Sequence, residues 1–201
     1  AIAKKLATLV EGYLAGVPHV DRVTARAKDP ESFAVKAARI EAGKPKYPKP
    51  LTEVQDQLGA RIVVRYRDDV ERVARVILKY FQPIEERELV PESQWAFGYF
   101  GRHMVLPLPG DVVPSDVSRD DVPRFFELQI KTVFQHAWAE ANHGVGYKVS
   151  PPLTPDQERR LAYTAAHAWG ADRVFAELFA ERRPPADLAG GGGAGTVKRD
   201  S

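Results

Sequence analysis

Residues 124–132 read Arg-Phe-Phe-Glu-Leu-Gln-Ile-Lys-Thr. No other stretch constrains the fold as tightly. Side chains alternate across a β-strand with a period of two. Phe126, Leu128 and Ile130 therefore share one face, and Phe125, Glu127, Gln129 and Lys131 share the other. The first face must be covered by other elements. The second carries a carboxylate, an amide and an amine in a row, which is costly to bury unless it binds something. Such a strand belongs in a sheet with a core on one side. Its polar side either meets water or forms a site.

The surrounding sequence supplies elements to cover the sheet. Residues 1–15 repeat Ile2, Leu6, Leu9, Val10, Tyr13 and Leu14 at helical spacing, and Gly16 and Pro18 end the segment. A second helix is expected from Pro30, with Asp29 as its cap, running to about Ala42 and stopping at Gly43. Residues 44–50 form a loop containing Lys44, Lys46 and Lys49. Residues 58–66 are rich in β-branched side chains and read as a core strand. Asp68 or Asp69 then caps a helix whose stripe is Val70, Val73, Ala74, Ile77, Leu78 and Phe81. Strands are expected near 83–89 and 101–108, and the aspartate-rich stretch 111–122 reads as an exposed connection. Helical spacing resumes over 133–143. After Pro151 and Pro152, Thr154 caps a long helix reaching about Arg182. Strands and helices interleave around one mixed sheet. Residues 1–183 are expected to be a single catalytic domain. Residues 184–201 form a glycine-rich flexible tail whose Gly190–Gly195 run matches a dinucleotide-binding pattern without the flanking strand and helix.

Composition narrows the chemistry. There is no cysteine, which excludes disulfides, thiolate catalysis and sulfur-ligated zinc. The formal net charge is +2, so any polyanion site must be local rather than global. No apolar run reaches the ~20 residues that span a bilayer.

Four constellations carry the functional signal. Arg26, Lys28, Ser32, Lys36 and Arg39 gather around the second helix, with Ser32, Lys36 and Arg39 at i, i+4 and i+7. They fit a polyphosphate clamp at a helix N-terminus or a solvated basic face. Asp56, Gly59 and Arg61 stand at the entry to the core strand. With Glu127 on a neighbouring strand, Asp56 would make the carboxylate pair that a phosphate-bound Mg²⁺ needs, although it could also be a turn cap. Tyr99, between Gly98 and Gly101 and ahead of His103, suits base stacking or a core position. His136, Glu140 and His143 share one helical face, but the spacing is not that of a zinc protease helix, and hydrogen bonding is the expected use.

Taken in this order, the segments resemble the synthetase domain of the RelA/SpoT family. The resemblance rests on Arg26-Ala-Lys28 with Ser32 and Lys36, Asp56-Gln-Leu-Gly-Ala-Arg61, Gly98-Tyr99 with His103, Glu127-Leu-Gln129-Ile-Lys131-Thr, and Gln135-His-Ala-Trp138 through Tyr147-Lys148. It covers roughly residues 22–148. It implies an α+β fold in which a mixed β-sheet is flanked by helices, similar to nucleotidyltransferases. It also implies transfer of the β,γ-pyrophosphate of ATP to the 3′-hydroxyl of a purine nucleotide. Arg26, Lys28, Ser32, Lys36, Arg39 and Arg61 would then bind ATP. Asp56 and Glu127 would be catalytic and hold Mg²⁺, with Glu127 taking the hydroxyl proton. Tyr99, His103 and Gln129 would bind the acceptor. Alarmone synthetases generally show Lys-Pro-Asn before the glycine at 98 and a serine at 101. This chain has Trp95-Ala96-Phe97 and Gly101, so guanine and adenine acceptors are both kept open. A toxin acting on the tRNA 3′ end and a non-catalytic nucleotide-binding module are the alternatives. The expected protein is a monomer without membrane contact. The family suggests a cytoplasmic location, and a first residue other than Met leaves secretion after signal cleavage open.

Overall fold

The computed structural model describes residues 1–88, 101–145 and 151–182. In chain order its elements are α1 (Ile2–Tyr13), β1 (Val20–Ala27), α2 (Pro30–Ala37), β2 (Ile40–Glu41), β3 (Lys44–Pro45), α3 (Pro50–Glu53), β4 (Leu58–Val64), α4 (Arg67–Ile77), β5 (Glu85–Glu88), β6 (Arg102–Pro107), β7 (Phe125–Thr132), α5 (Val133–Val145) and α6 (Pro155–Glu181). Five strands form one sheet in the order β1-β4-β7-β6-β5. The central pair β4 and β7 is parallel, and every other pairing in that sheet is antiparallel. This is the mixed sheet that the alternation of strand and helix signals predicts.

One face of the sheet is a continuous hydrophobic core. Val23, Ala60, Ile62, Val64, Met104, Leu106, Phe126, Leu128 and Ile130 are buried there. α1 covers them with Leu6, Val10 and Leu14, and α4 with Val73, Ala74 and Ile77. The strand read first in the sequence is β7, and its three apolar side chains are all fully buried. Burying side chains of this size stabilises by about 1.5–3 kcal/mol each.

The opposite face is only partly covered. α5 starts directly after β7 and packs back over the ends of β4 and β7. The junction is a reciprocal cap. Gln135 N–H donates to Thr132 Oγ1 at 3.1 Å, and Thr132 N–H donates to Gln135 Oε1 at 2.8 Å. Thr132 Oγ1 also donates to the buried Asp172 Oδ2 of α6 at 2.6 Å, tying the long helix to the same point. α6 begins with a full capping box between Thr154 and Gln157. Its other contacts include Trp138 Nε1 donating to Thr164 Oγ1 and a stacked Tyr66–Phe179 pair.

Three local expectations give way. α2 ends at Ala37, not near Ala42, and Ile40–Glu41 turns back to pair with Lys44–Pro45. The turn needs positive φ at both Ala42 (50°) and Gly43 (75°). This is the two-residue hairpin geometry, and the alanine accepts a strained conformation to complete it. α4 has Tyr66 at its N-cap without a side-chain cap bond. Asp69 instead lies buried in the first turn, accepting from Arg72 at 2.5 Å and pairing with His19 at 3.1 Å. Residues 111–122 are not wholly exposed. Their 3₁₀ turns at Gly110–Val112 and Arg119–Asp121 are anchored by Val112 and Val122 in the core.

Candidate functional site

Strand register decides which polar side chains meet. Residues paired across neighbouring strands point to the same face. One row across the open face runs Arg26, Gly59, Glu127, Val105, Glu85. The next runs Thr24, Arg61, Gln129, His103, Arg87. Side chains separated by tens of residues in sequence therefore form a two-row polar platform. Asp56 sits beside it in the 3₁₀ turn Gln55–Gln57 that leads into β4.

Two cavities open onto this platform. The larger, about 580 Å³, is lined by Arg26, Lys28, Ser32, Gly59, Arg61, Gln129 and Glu140 among others. The smaller, about 380 Å³, is lined by Lys36, Tyr47, Glu53, Gln55, Glu85, Arg87 and His103 among others. Asp56 and Glu127 line both, and they are the two residues the cavities share.

The two acids are held by bases. Asp56 Oδ2 accepts from Lys28 Nζ at 2.9 Å, and its Oδ1 pairs with Lys36 Nζ at 2.9 Å. Burial works to raise the Asp56 pKa, but the hydrogen bonds and charges of Lys36 and Lys28 outweigh it and hold the group below its ordinary value. Glu127 Oε1 meets His103 Nδ1 at 2.8 Å. Burial again pushes its pKa up, and His103 with Gln129 brings the net result down, even against the charge of Asp56. Glu127 is therefore an ionised carboxylate near neutral pH, not a carboxyl with a raised pKa. His103 Nε2 and Gln129 Oε1 are buried with no hydrogen-bond partner among the described residues. Gln129 lines the larger cavity and His103 the smaller one.

Arg61 is fixed from α5. Its guanidinium donates to His136 Nδ1 at 3.1 Å and to Glu140 Oε1 at 2.5 Å. The bond requires neutral His136 with Nδ1 as acceptor, and burial with the Arg61 charge lowers the His136 pKa accordingly. The His136–Glu140 pair thus serves an arginine. Among the described residues, no group of three His, Asp or Glu could cage a metal.

Nine of the eleven candidate residues line the two cavities: Arg26, Lys28, Ser32, Lys36, Asp56, Arg61, His103, Glu127 and Gln129. Arg39 lines neither. Because α2 ends at Ala37, Arg39 does not share a helix face with Ser32 and Lys36, and it is exposed beyond them. Tyr99 lies outside the described residues, as do Trp95-Ala96-Phe97.

Sequence reading missed Lys131. It is on the polar side of β7 but only 6% exposed. Burial, then the charge of Arg61, lowers its pKa to about 8. Gly101 packs against it, and a Cβ at 101 would run into the Ile130 carbonyl and Lys131 Cγ. A side chain at 101, such as the serine expected there, would require the backbone at Ile130 and the Lys131 side chain to move. Alternation placed Lys131 on the site face, but only the path of α5 shows that the face is closed there.

Comparison with known proteins identifies the family and the fold. The family described as "Region found in RelA / SpoT proteins" matches residues 25–151. The chain is 27% identical over 167 residues to GTP pyrophosphokinase YjbM of Bacillus subtilis (strain 168), covering 81% of this chain and 73% of that one. Small alarmone synthetase 1 from Bacillus subtilis, solved with its product pppGpp, superposes with a TM-score of 0.72 at 24% identity, over 90% of this chain and 93% of that one. A GTP pyrophosphokinase family protein from Streptococcus pneumoniae also superposes at 0.72 and 24%, covering 89% and 88%. Among the described residues, no helix is long and apolar enough to cross a membrane.

Proposed function

The chain belongs to the RelA/SpoT family of pyrophosphokinases, and from that premise we propose that it transfers the β,γ-pyrophosphate of ATP to the 3′-hydroxyl of a purine nucleotide. The observation that carries this reading is the sharing of Asp56 and Glu127 by two cavities. A two-substrate transfer needs donor and acceptor compartments that meet at one acidic point.

ATP occupies the larger cavity. Arg26, Lys28 and Arg61 face its phosphates and base, with Ser32 near the N-terminus of α2 and Lys36 at the junction, while Arg39, outside both cavities, is given no contact. The acceptor enters the smaller cavity beside His103, with Gln129 paired to it on the neighbouring strand, and Tyr99 keeps the stacking role that the family resemblance implies. The donor set fits Mg²⁺: two carboxylates, no nitrogen or sulfur cage, and phosphates and water to complete the shell. When bound, Mg²⁺ neutralises phosphate charge and aligns the transferred group.

In the transfer, the acceptor 3′-oxygen attacks the β-phosphorus of ATP. The bond from that phosphorus to the oxygen bridging to the α-phosphate breaks, and AMP leaves. The hydroxyl proton passes to Glu127. Glu127 is ionised and so has a free lone pair for that proton, although its lowered pKa makes it a weak base, and the hydrogen bond to His103 fixes Oε1 in place. Lys28 and Lys36, now paired with Asp56, are within reach of the phosphates to offset their spreading charge.

The test is an acceptor panel. The protein is incubated with ATP, Mg²⁺ and each of GTP, GDP, ADP and AMP, and products are resolved by chromatography. We expect AMP and a 3′-pyrophosphorylated nucleotide in equal amounts. Release of AMP without that product overturns the transfer.

A further inference from the structure

Among the residues of the smaller cavity that the roles above leave unassigned is one aromatic ring, Tyr47. Tyr47 follows β3 and lines the cavity together with Glu85, Arg87 and His103. It is half-buried yet packs into neither hydrophobic cluster, so the core does not account for it. Among the described residues its ring meets no other aromatic side chain. The contact it does make is with a cation, the Lys36 ammonium 6.0 Å from the ring centroid. That same ammonium pairs with Asp56, which sets Tyr47 beside the point where the cavities meet. Pro48 biases the backbone of Tyr47 to extended conformations. Tyr47 is also the one phenyl or phenol ring lining either cavity among the described residues.

We propose that Tyr47 is a stacking platform for the acceptor's purine base and so a specificity-determining residue of the smaller cavity. This rests on the two-cavity reading of the reaction. A half-buried ring that lines a polar cavity can offer a π-face to a ligand there, and a purine supplies a matching one. Base–aromatic stacking of this kind is tolerant of base identity. Tyr47 therefore selects for a purine as a class and leaves the choice between guanine and adenine to polar groups around it.

The experiment compares wild type with Tyr47→Ala, Tyr47→Leu and Tyr47→Phe by steady-state kinetics and thermal melting. Tyr47→Ala and Tyr47→Leu are expected to raise the acceptor KM roughly 5- to 100-fold. The ATP KM should stay within about twofold, and Tyr47→Phe should behave as wild type. Leucine preserves apolar bulk, so a normal acceptor KM in Tyr47→Leu with a raised one in Tyr47→Ala would mean packing alone and would overturn stacking. A raised ATP KM with an unchanged acceptor KM would also overturn it, since Tyr47 would then act only through Lys36. If wild type turns over no nucleotide in the panel, the reaction assigned above fails separately. The stacking role is then decided by calorimetric titration of GDP and ADP. Weaker binding to Tyr47→Ala sustains it, and equal or absent binding to both proteins ends it.

Discussion

Phe126, Leu128 and Ile130 point to one side of β7 and are fully buried, whereas Glu127 and Gln129 point to the other and remain partly accessible. The same eight-residue strand thus serves two regions under opposite rules. On the core face each side chain is satisfied by packing, and nothing there bears on the reaction. On the site face the groups are held by charge, carry shifted pKa values and keep unpartnered atoms. The contrast teaches that a period of two lets stability and chemistry vary independently along one strand.

Substitutions on β7 and its neighbours can break or sharpen that separation. The largest effect is expected for Glu127→Gln: turnover should fall by a thousandfold or more, about 4 kcal/mol of barrier or greater. Its melting temperature should move little. A melting loss comparable to that of a core variant would mean that the faces are not independent. Phe126→Ala should lower stability by about 3–5 kcal/mol in urea denaturation. The KM values of the molecules that remain folded should be unchanged.

Lys131 tests the boundary between the two rules. Its pKa falls from 10.5 to about 8 on folding. Between those values the unfolded chain binds more protons than the folded one, so stability should rise with pH across that window. Below pH 8 the cost of the buried ammonium is present in full. Lys131→Met should therefore stabilise the protein at pH 7 by up to about 3 kcal/mol, since one pKa unit is worth about 1.4 kcal/mol. The gain should shrink as pH approaches 10. Paired denaturation curves at pH 7 and pH 9.5 read this directly, and an equal gain at both would refute it. The smallest effect is expected for Glu140→Ala. Glu140 is largely exposed, and pairs of that kind contribute about 0–1 kcal/mol. Freed of one anchor, Arg61 should raise the ATP KM by no more than about fivefold with kcat unchanged.

What the sequence could reveal followed the range of the interaction. The alternation of β7, the Asp29 cap of α2 and the capping box of α6 are set by residues within four positions of each other, and all are present. Strand alternation also placed Glu127 and Gln129 on one face correctly. The end of α2 was misjudged because alanine and glycine at 42 and 43 look like a helix terminus. Pairing between β2 and β3 supplied a competing conformation that local propensity does not encode. The use of His136 and Glu140 was hidden for another reason. Their partner, Arg61, is 75 residues from His136 and comes within reach only because α5 folds back over β4. Lys131 was overlooked because alternation gives direction but not coverage. Asp172, buried against Thr132 from 40 residues away, had no local signal.

Because Asp56 and Glu127 wall both compartments, the two nucleotides of the proposed reaction would not be strangers to each other. Whichever arrives first draws on the same pair of negative charges and resets the field that greets the second. Such cross-talk is symmetrical at equilibrium: the factor by which donor alters the acceptor's dissociation constant equals the factor by which acceptor alters the donor's. Under the proposed reaction, filling either compartment therefore retunes the other, whichever is filled first.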